Sequence, residues 1–187
     1  MGSPHDGVIG CAGKIGQANL MDGLKRGIAL GLSLLALAAC EPGAISQGAD
    51  FQRKYEGARK ALEDGNYDLA ARNYAALLPS AGPLEPRLRL EYAHALLRAD
   101  RHDEAAAMAG AVARGQSGSN RAAALAVEGT ALHESALADM RAGRAAPDKL
   151  RRAEAALAEM LRLDPSLDPL GAMQSRRDEI AGSLRRG

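Results

Sequence analysis

Alanine fills 40 of the 187 positions, while aromatic residues make up only 3% and Trp is missing altogether. No other feature constrains the fold as strongly. Alanine is the best intrinsic helix former and a poor strand former, and its methyl group lets helix backbones approach closely. With abundant Leu, Arg and Glu, the composition predicts an all-α chain of closely packed helices. The scarcity of aromatics also argues against base-stacking surfaces. Charge adds a second exclusion: 24 Lys+Arg stand against 23 Asp+Glu. A chain this near neutrality lacks the basic footprint of a nucleic-acid binder.

The N-terminal part reads as an address. Lys25 and Arg26 precede an apolar run from Gly27 to Ala39, 13 residues long. That length suits a secretory signal and falls short of the roughly 20 residues that span a bilayer. A buried core helix is the alternative. The run ends in Leu37-Ala38-Ala39-Cys40, which resembles the lipobox of bacterial lipoproteins. The resemblance implies a signal peptide over 21–39, cleavage before Cys40, and acylation of its thiol. Glu41 in place of Asp then implies delivery to the outer membrane, facing the periplasm. Residues 1–20 put Gly, Pro and His ahead of the charged segment. They read as a doubtful or disordered extension, with Met21 as the initiator. Asp6 stands where a myristoylation signal needs Ser or Thr, so that reading is rejected. The only other cysteine is Cys11, which leaves residues 51–187 without a thiol for a disulfide, a metal cluster or a nucleophile.

In the same resemblance Cys40 is the lipid anchor, and residues 41–50, rich in Gly, Ser and Ala, read as a short tether off the membrane. Beyond them a helical hairpin recurs. Gly65-Asn66-Tyr67-Asp68-Leu69-Ala70-Ala71-Arg72-Asn73-Tyr74 forms a turn and a following helix, preceded by Tyr55, Ala58, Ala61 and Leu62 at helical spacing. Asp100 to Ala105 repeats the pattern, with Ala105 placed 35 positions after Ala70. A third unit has Gly129 in its first helix and Ala153, Leu157 and Leu161 in its second, closed by Asp164-Pro165. Twelve extra residues around Gly143–Lys149 interrupt it. Asp168-Pro169 then supplies an N-cap and a first-turn proline for a final helix over 170–185.

This pattern, over roughly residues 51–185, resembles the tetratricopeptide (TPR) family, whose repeat is about 34 residues long. It implies antiparallel helical hairpins stacked as a short TPR-like solenoid with a C-terminal capping helix. A generic antiparallel bundle would share the same signals. In the family the first helices line a concave groove that holds a peptide. Carried over by register, the groove residues are Tyr55, Arg59 and Leu62, then Arg87, Leu90, His94 and Arg98, then His133. One family branch clamps chaperone carboxylates with Lys and Asn at fixed positions. Those positions hold Tyr55, Arg59, Glu91, Ala123 and Val127, so that function is disfavoured.

Other constellations are incomplete. His133-Glu134 begins like a zinc-protease motif, but Leu137 occupies the second histidine position. Gly115-Gln116-Ser117-Gly118 lacks the lysine of a phosphate loop. Glu63-Asp64 and Asp103-Glu104 read as solvated charges near turns. Arg176-Arg177 and Arg185-Arg186, interleaved with Asp178 and Glu179, read as a solvated face rather than a lipid-facing one. The sequence thus predicts a non-enzymatic, lipid-anchored adaptor with no metal or cofactor. Its partner would be another envelope protein, in a setting such as pilus, secretion or outer-membrane assembly. A periplasmic small-molecule or peptide binding protein is the alternative.

Overall fold

The structure is a computed structural model, and it describes residues 42–186, with side chains from Gly48 onward. The extension 1–20, the signal peptide 21–39 and the lipidation site Cys40 lie outside the described residues. Seven α-helices and no strands are found among the described residues. They are α1 (Pro42–Glu63), α2 (Tyr67–Leu77), α3 (Glu85–Arg98), α4 (His102–Gly115), α5 (Gly118–Arg141), α6 (Pro147–Leu163) and α7 (Ala172–Arg186). From Ser46 on they form one compact unit.

The all-α expectation holds. The helices pair as α1–α2, α3–α4 and α5–α6, and the same turn closes each pair. Asn66 N–H bonds back to Ala61 C=O at 2.8 Å, Arg101 to Leu96 at 3.0 Å, and Arg144 to Asp139 at 2.9 Å. Each is the long return bond of a Schellman cap, which needs a left-handed residue just before the donor. Gly65 and Gly143 occupy that position at φ +80° and +73°, and Asp100 occupies it at +57°. Asp100 is the one non-glycine residue at positive φ among the described residues.

Alanine sets the packing. Of the 29 buried apolar residues, 18 are alanine, so the core depends on close helix approach more than on large interlocking side chains. Consecutive helices pack along the chain from α2 to α7, and α3 also touches α5. One core cluster runs from Ala58 and Tyr74 through Leu88 and Leu96 to Leu157 and Ile180. A second joins Val112, Leu125 and Met160 at the other end of α4, α5 and α6. Helices α5 and α6 approach closely at Gly129. A Cβ added to Gly129 would lie 2.7 Å from Leu157 Cγ, closer than real Cβ atoms come, and a tight 3.2 Å from the Ala153 carbonyl oxygen.

Three boundaries differ from the sequence reading. The segment 41–50, read as a Gly-, Ser- and Ala-rich tether, is helical from Pro42 onward. Proline presets a first helical turn, and nothing between it and Glu63 breaks the helix. The twelve extra residues of the third unit make no long loop. They lengthen the hairpin itself, so that α5 has 24 residues, against 14 in α3. Only 142–146 remain as a turn. The last helix starts at Ala172, two residues later than expected. Asp168 still caps it, but across the 169–171 turn: its carboxylate accepts the N–H groups of Met173 at 3.0 Å and Gln174 at 2.9 Å. Those donors, with Ala172, hold its pKa below the usual carboxylate range.

Candidate docking groove

An open trough of about 470 Å³ runs over the middle of the helical body. Arg59, Leu62 and Glu63 come from α1, Arg87, Leu90, Glu91 and His94 from α3, and Ala123 and Val127 from α5, with Tyr74 of α2 in the floor. Leu62, Leu90, Ala123 and Val127 give it an apolar surface. Register explains the grouping: Arg87, Leu90, Glu91 and His94 recur every three or four residues along one stripe of α3.

Five of the eight anticipated positions therefore meet in one concavity: Arg59, Leu62, Arg87, Leu90 and His94. Tyr55 lies in the adjoining hollow with Phe51, Leu84 and Arg87. Arg98 lies in the next hollow along α3, which shares His94 with the trough. His133 does not join them. It is 2% exposed, and its Nδ1 is 2.9 Å from the Arg176 guanidinium of α7. The groove assignment of His133 is corrected accordingly: α7, arriving from 43 positions away in sequence, covers this face of α5. Burial and the Arg176 charge hold the His133 pKa below its ordinary value. Arg176, read as part of a solvated face, is instead bonded to Glu134 at 2.7 Å.

The charges in the trough are largely matched within it. Arg59 pairs with Glu63 at 3.1 Å, and Arg87 with Glu91 at 3.1 Å. Both are one helical turn apart and exposed on the arginine side, so each is worth only about 0.3–0.5 kcal/mol and is readily exchanged for a partner's group. The Tyr55 hydroxyl donates to Glu91 Oε1 at 2.7 Å. Burial, followed by the nearby Glu91 carboxylate, raises the Tyr55 and Tyr74 pKa values. His94 lines the trough with its side chain exposed, and desolvation, followed by the nearby Arg98 charge, lowers its pKa. Arg98 lies over the Tyr67 ring, 4.6 Å from its centroid, and also contacts its hydroxyl.

Sequence reasoning did not place Glu91, Ala123, Val127 or Tyr74 in the groove, although the first three stand at the clamp positions of the resembling family. It also missed a polar cluster elsewhere. Ser135 donates to Asp103 at 2.6 Å, and Lys149 bonds Ser135 at 2.6 Å and Asp139 at 2.8 Å. A serine beside a lysine invites a catalytic reading, but a base must be neutral to take a proton. Asp139 and Asp103 raise the Lys149 pKa further, which keeps it charged. The cluster pins α4, α5 and α6 together. Among the described residues no three His, Cys, Asp or Glu side chains converge as a metal would require. No described helix is long and apolar enough to cross a membrane. No family model, curated protein or solved structure matches the chain.

Proposed function

We propose that this chain is a non-enzymatic adaptor, a short TPR-like stack of three helical hairpins capped by α7, which holds a segment of another protein in its trough. The observation that carries the reading is the common lining of the trough by α1, α3 and α5, the first helices of the three hairpins. The recurrence of one turn geometry at Gly65, Asp100 and Gly143 supports the repeat. An apolar floor edged by exchangeable ion pairs has the makeup of a protein interface. Its openness along one side suits an extended or helical segment better than an enclosed small molecule. In the same reading Cys40 is a lipid anchor, the location is the periplasmic face of the outer membrane, and the partner is another envelope protein.

The test is site-specific photocrosslinking in intact cells, with the reactive residue at Leu90 in the trough or at Leu69 on α2, outside it. The expected result is a discrete adduct with an envelope protein from position 90 only, removed by a Leu62→Glu change on the opposite wall. Equal adducts from both positions, or none from position 90, refutes the groove.

A further inference from the structure

Arginines in this body are mostly spoken for. Arg53, Arg59, Arg87, Arg89, Arg101 and Arg121 each meet a carboxylate within 4.0 Å, as do several others. Arg72, Arg98, Arg114, Arg141, Arg185 and Arg186 do not, among the described residues, and of these Arg98 and Arg141 line the same hollow of about 530 Å³. They come from α3 and from the last turn of α5, so the tertiary fold brings them together. His94 and His102 line the hollow as well. The two carboxylates there do little to offset the arginines. Glu134 is taken by Arg176 of α7 at 2.7 Å. Burial would raise its pKa, but the Arg176 bond and charge hold it low. The Asp100 side chain is 92% exposed, with the His102 ring nitrogen at 3.5 Å.

The hollow is therefore a concave site with two uncompensated guanidinium groups, joined through His94 to the apolar trough. Arg98 is also preorganised. The Tyr67 ring, 4.6 Å from its guanidinium carbon, gives it one aromatic neighbour and one hydroxyl contact and leaves its other N–H donors free. A planar guanidinium held in this way suits a carboxylate, which it can bind through two parallel hydrogen bonds.

We propose that this hollow is an anion subsite of the docking groove, and that the docked segment carries apolar side chains followed by one or more Asp or Glu residues. The apolar part lies over Leu62, Leu90 and Val127, and the carboxylates meet Arg98 and Arg141. The proposal rests on the groove reading and adds to it the chemistry and direction of the partner. It assigns anion binding to Arg98 and Arg141 rather than to Arg59 and Arg87, which carry their own carboxylates.

The probes are fluorescein-labelled nonapeptides with alternating Leu and Ala in the first six positions and three Glu, three Gln or three Lys at the end. Fluorescence anisotropy on the full chain reads their affinity. The Glu peptide should bind at least tenfold tighter than the Gln peptide, with a preference that shrinks as salt rises. Arg98→Gln with Arg141→Gln should erase that preference while leaving the affinity for the Gln peptide unchanged. Arg185→Gln with Arg186→Gln removes the same charge at the end of α7 and should leave the preference intact. Equal binding of the Glu and Gln peptides, or loss of preference in the α7 pair as well, overturns the anion subsite while the groove stands. If no peptide binds, or if binding ignores Leu90→Glu, the groove itself fails and the subsite with it. Circular dichroism of each variant confirms that helicity is retained.

Discussion

Replacing one glycine with alanine in two different helices separates intrinsic helix propensity from packing. Gly57 and Gly129 both lie inside helices, α1 and α5 respectively. A methyl group at either site should add about 0.8–1.0 kcal/mol of stability from propensity alone. At Gly57 nothing lies within 4 Å of the new atom, so Gly57→Ala should realise that gain. At Gly129 the methyl would come within 2.7 Å and 2.8 Å of Leu157 Cγ and Cδ2. Leu157 is fully buried and cannot swing aside, and the third neighbour is the Ala153 backbone carbonyl. Overpacking of this kind costs about 1–3 kcal/mol. Gly129→Ala should therefore fall between neutral and about 2 kcal/mol destabilising. The gap between the two variants, about 1–3 kcal/mol, reports the helix crossing itself. Urea unfolding followed by circular dichroism at 222 nm measures both midpoints, with unchanged slopes required for the comparison. Gly110→Ala is an intermediate case, because its methyl would meet only the movable carboxylate of Glu128 at 2.8 Å. If Gly129→Ala gains as much stability as Gly57→Ala, α5 and α6 do not cross at that residue and the hairpin register is wrong.

Asp100→Gly should raise stability by about 0.5 kcal/mol, since relief of a left-handed L-residue, about 1–2 kcal/mol, is partly offset by a more flexible unfolded chain; thermal unfolding checks it. The His133 pKa is lowered in the folded state, so its contribution is complete above the ordinary histidine value of about 6.5 and is lost as pH falls through that value toward the folded one. His133→Gln keeps an acceptor for Arg176 and does not titrate, so its stability should fall less steeply than wild type as pH drops below about 6.5; His94, also lowered, contributes to the slope that remains. Cys40→Ala should leave an unprocessed precursor, and metabolic labelling with a fatty acid that marks it as strongly as wild type would defeat the lipid-anchor reading.

What the sequence determined by itself was local. Helix over strand follows from alanine content, and the turns at Gly65 and Asp100 follow from residue types that tolerate or favour left-handed backbone. The end of α6 follows from Pro165, which cannot continue a helix. The spacing of Arg87, Leu90 and His94 set one stripe of α3, because a helical stripe is fixed by 3.6 residues per turn alone.

The tertiary structure decided whatever depended on a neighbour from far along the chain. His133 lies on a face that periodicity left open, and α7 covers it because Arg176 and Met173 reach back across 43 residues to His133 and Thr130. The extra residues near Gly143 became helix rather than loop, held where Lys149 ties Asp139 on α5 to Asp103 on α4. Arg98 and Arg141 share a hollow only because α3 packs on α5. Residue type and spacing fix which way a side chain leaves its own helix. Which other helix stands in its path is set by the packing of the whole alanine-rich core.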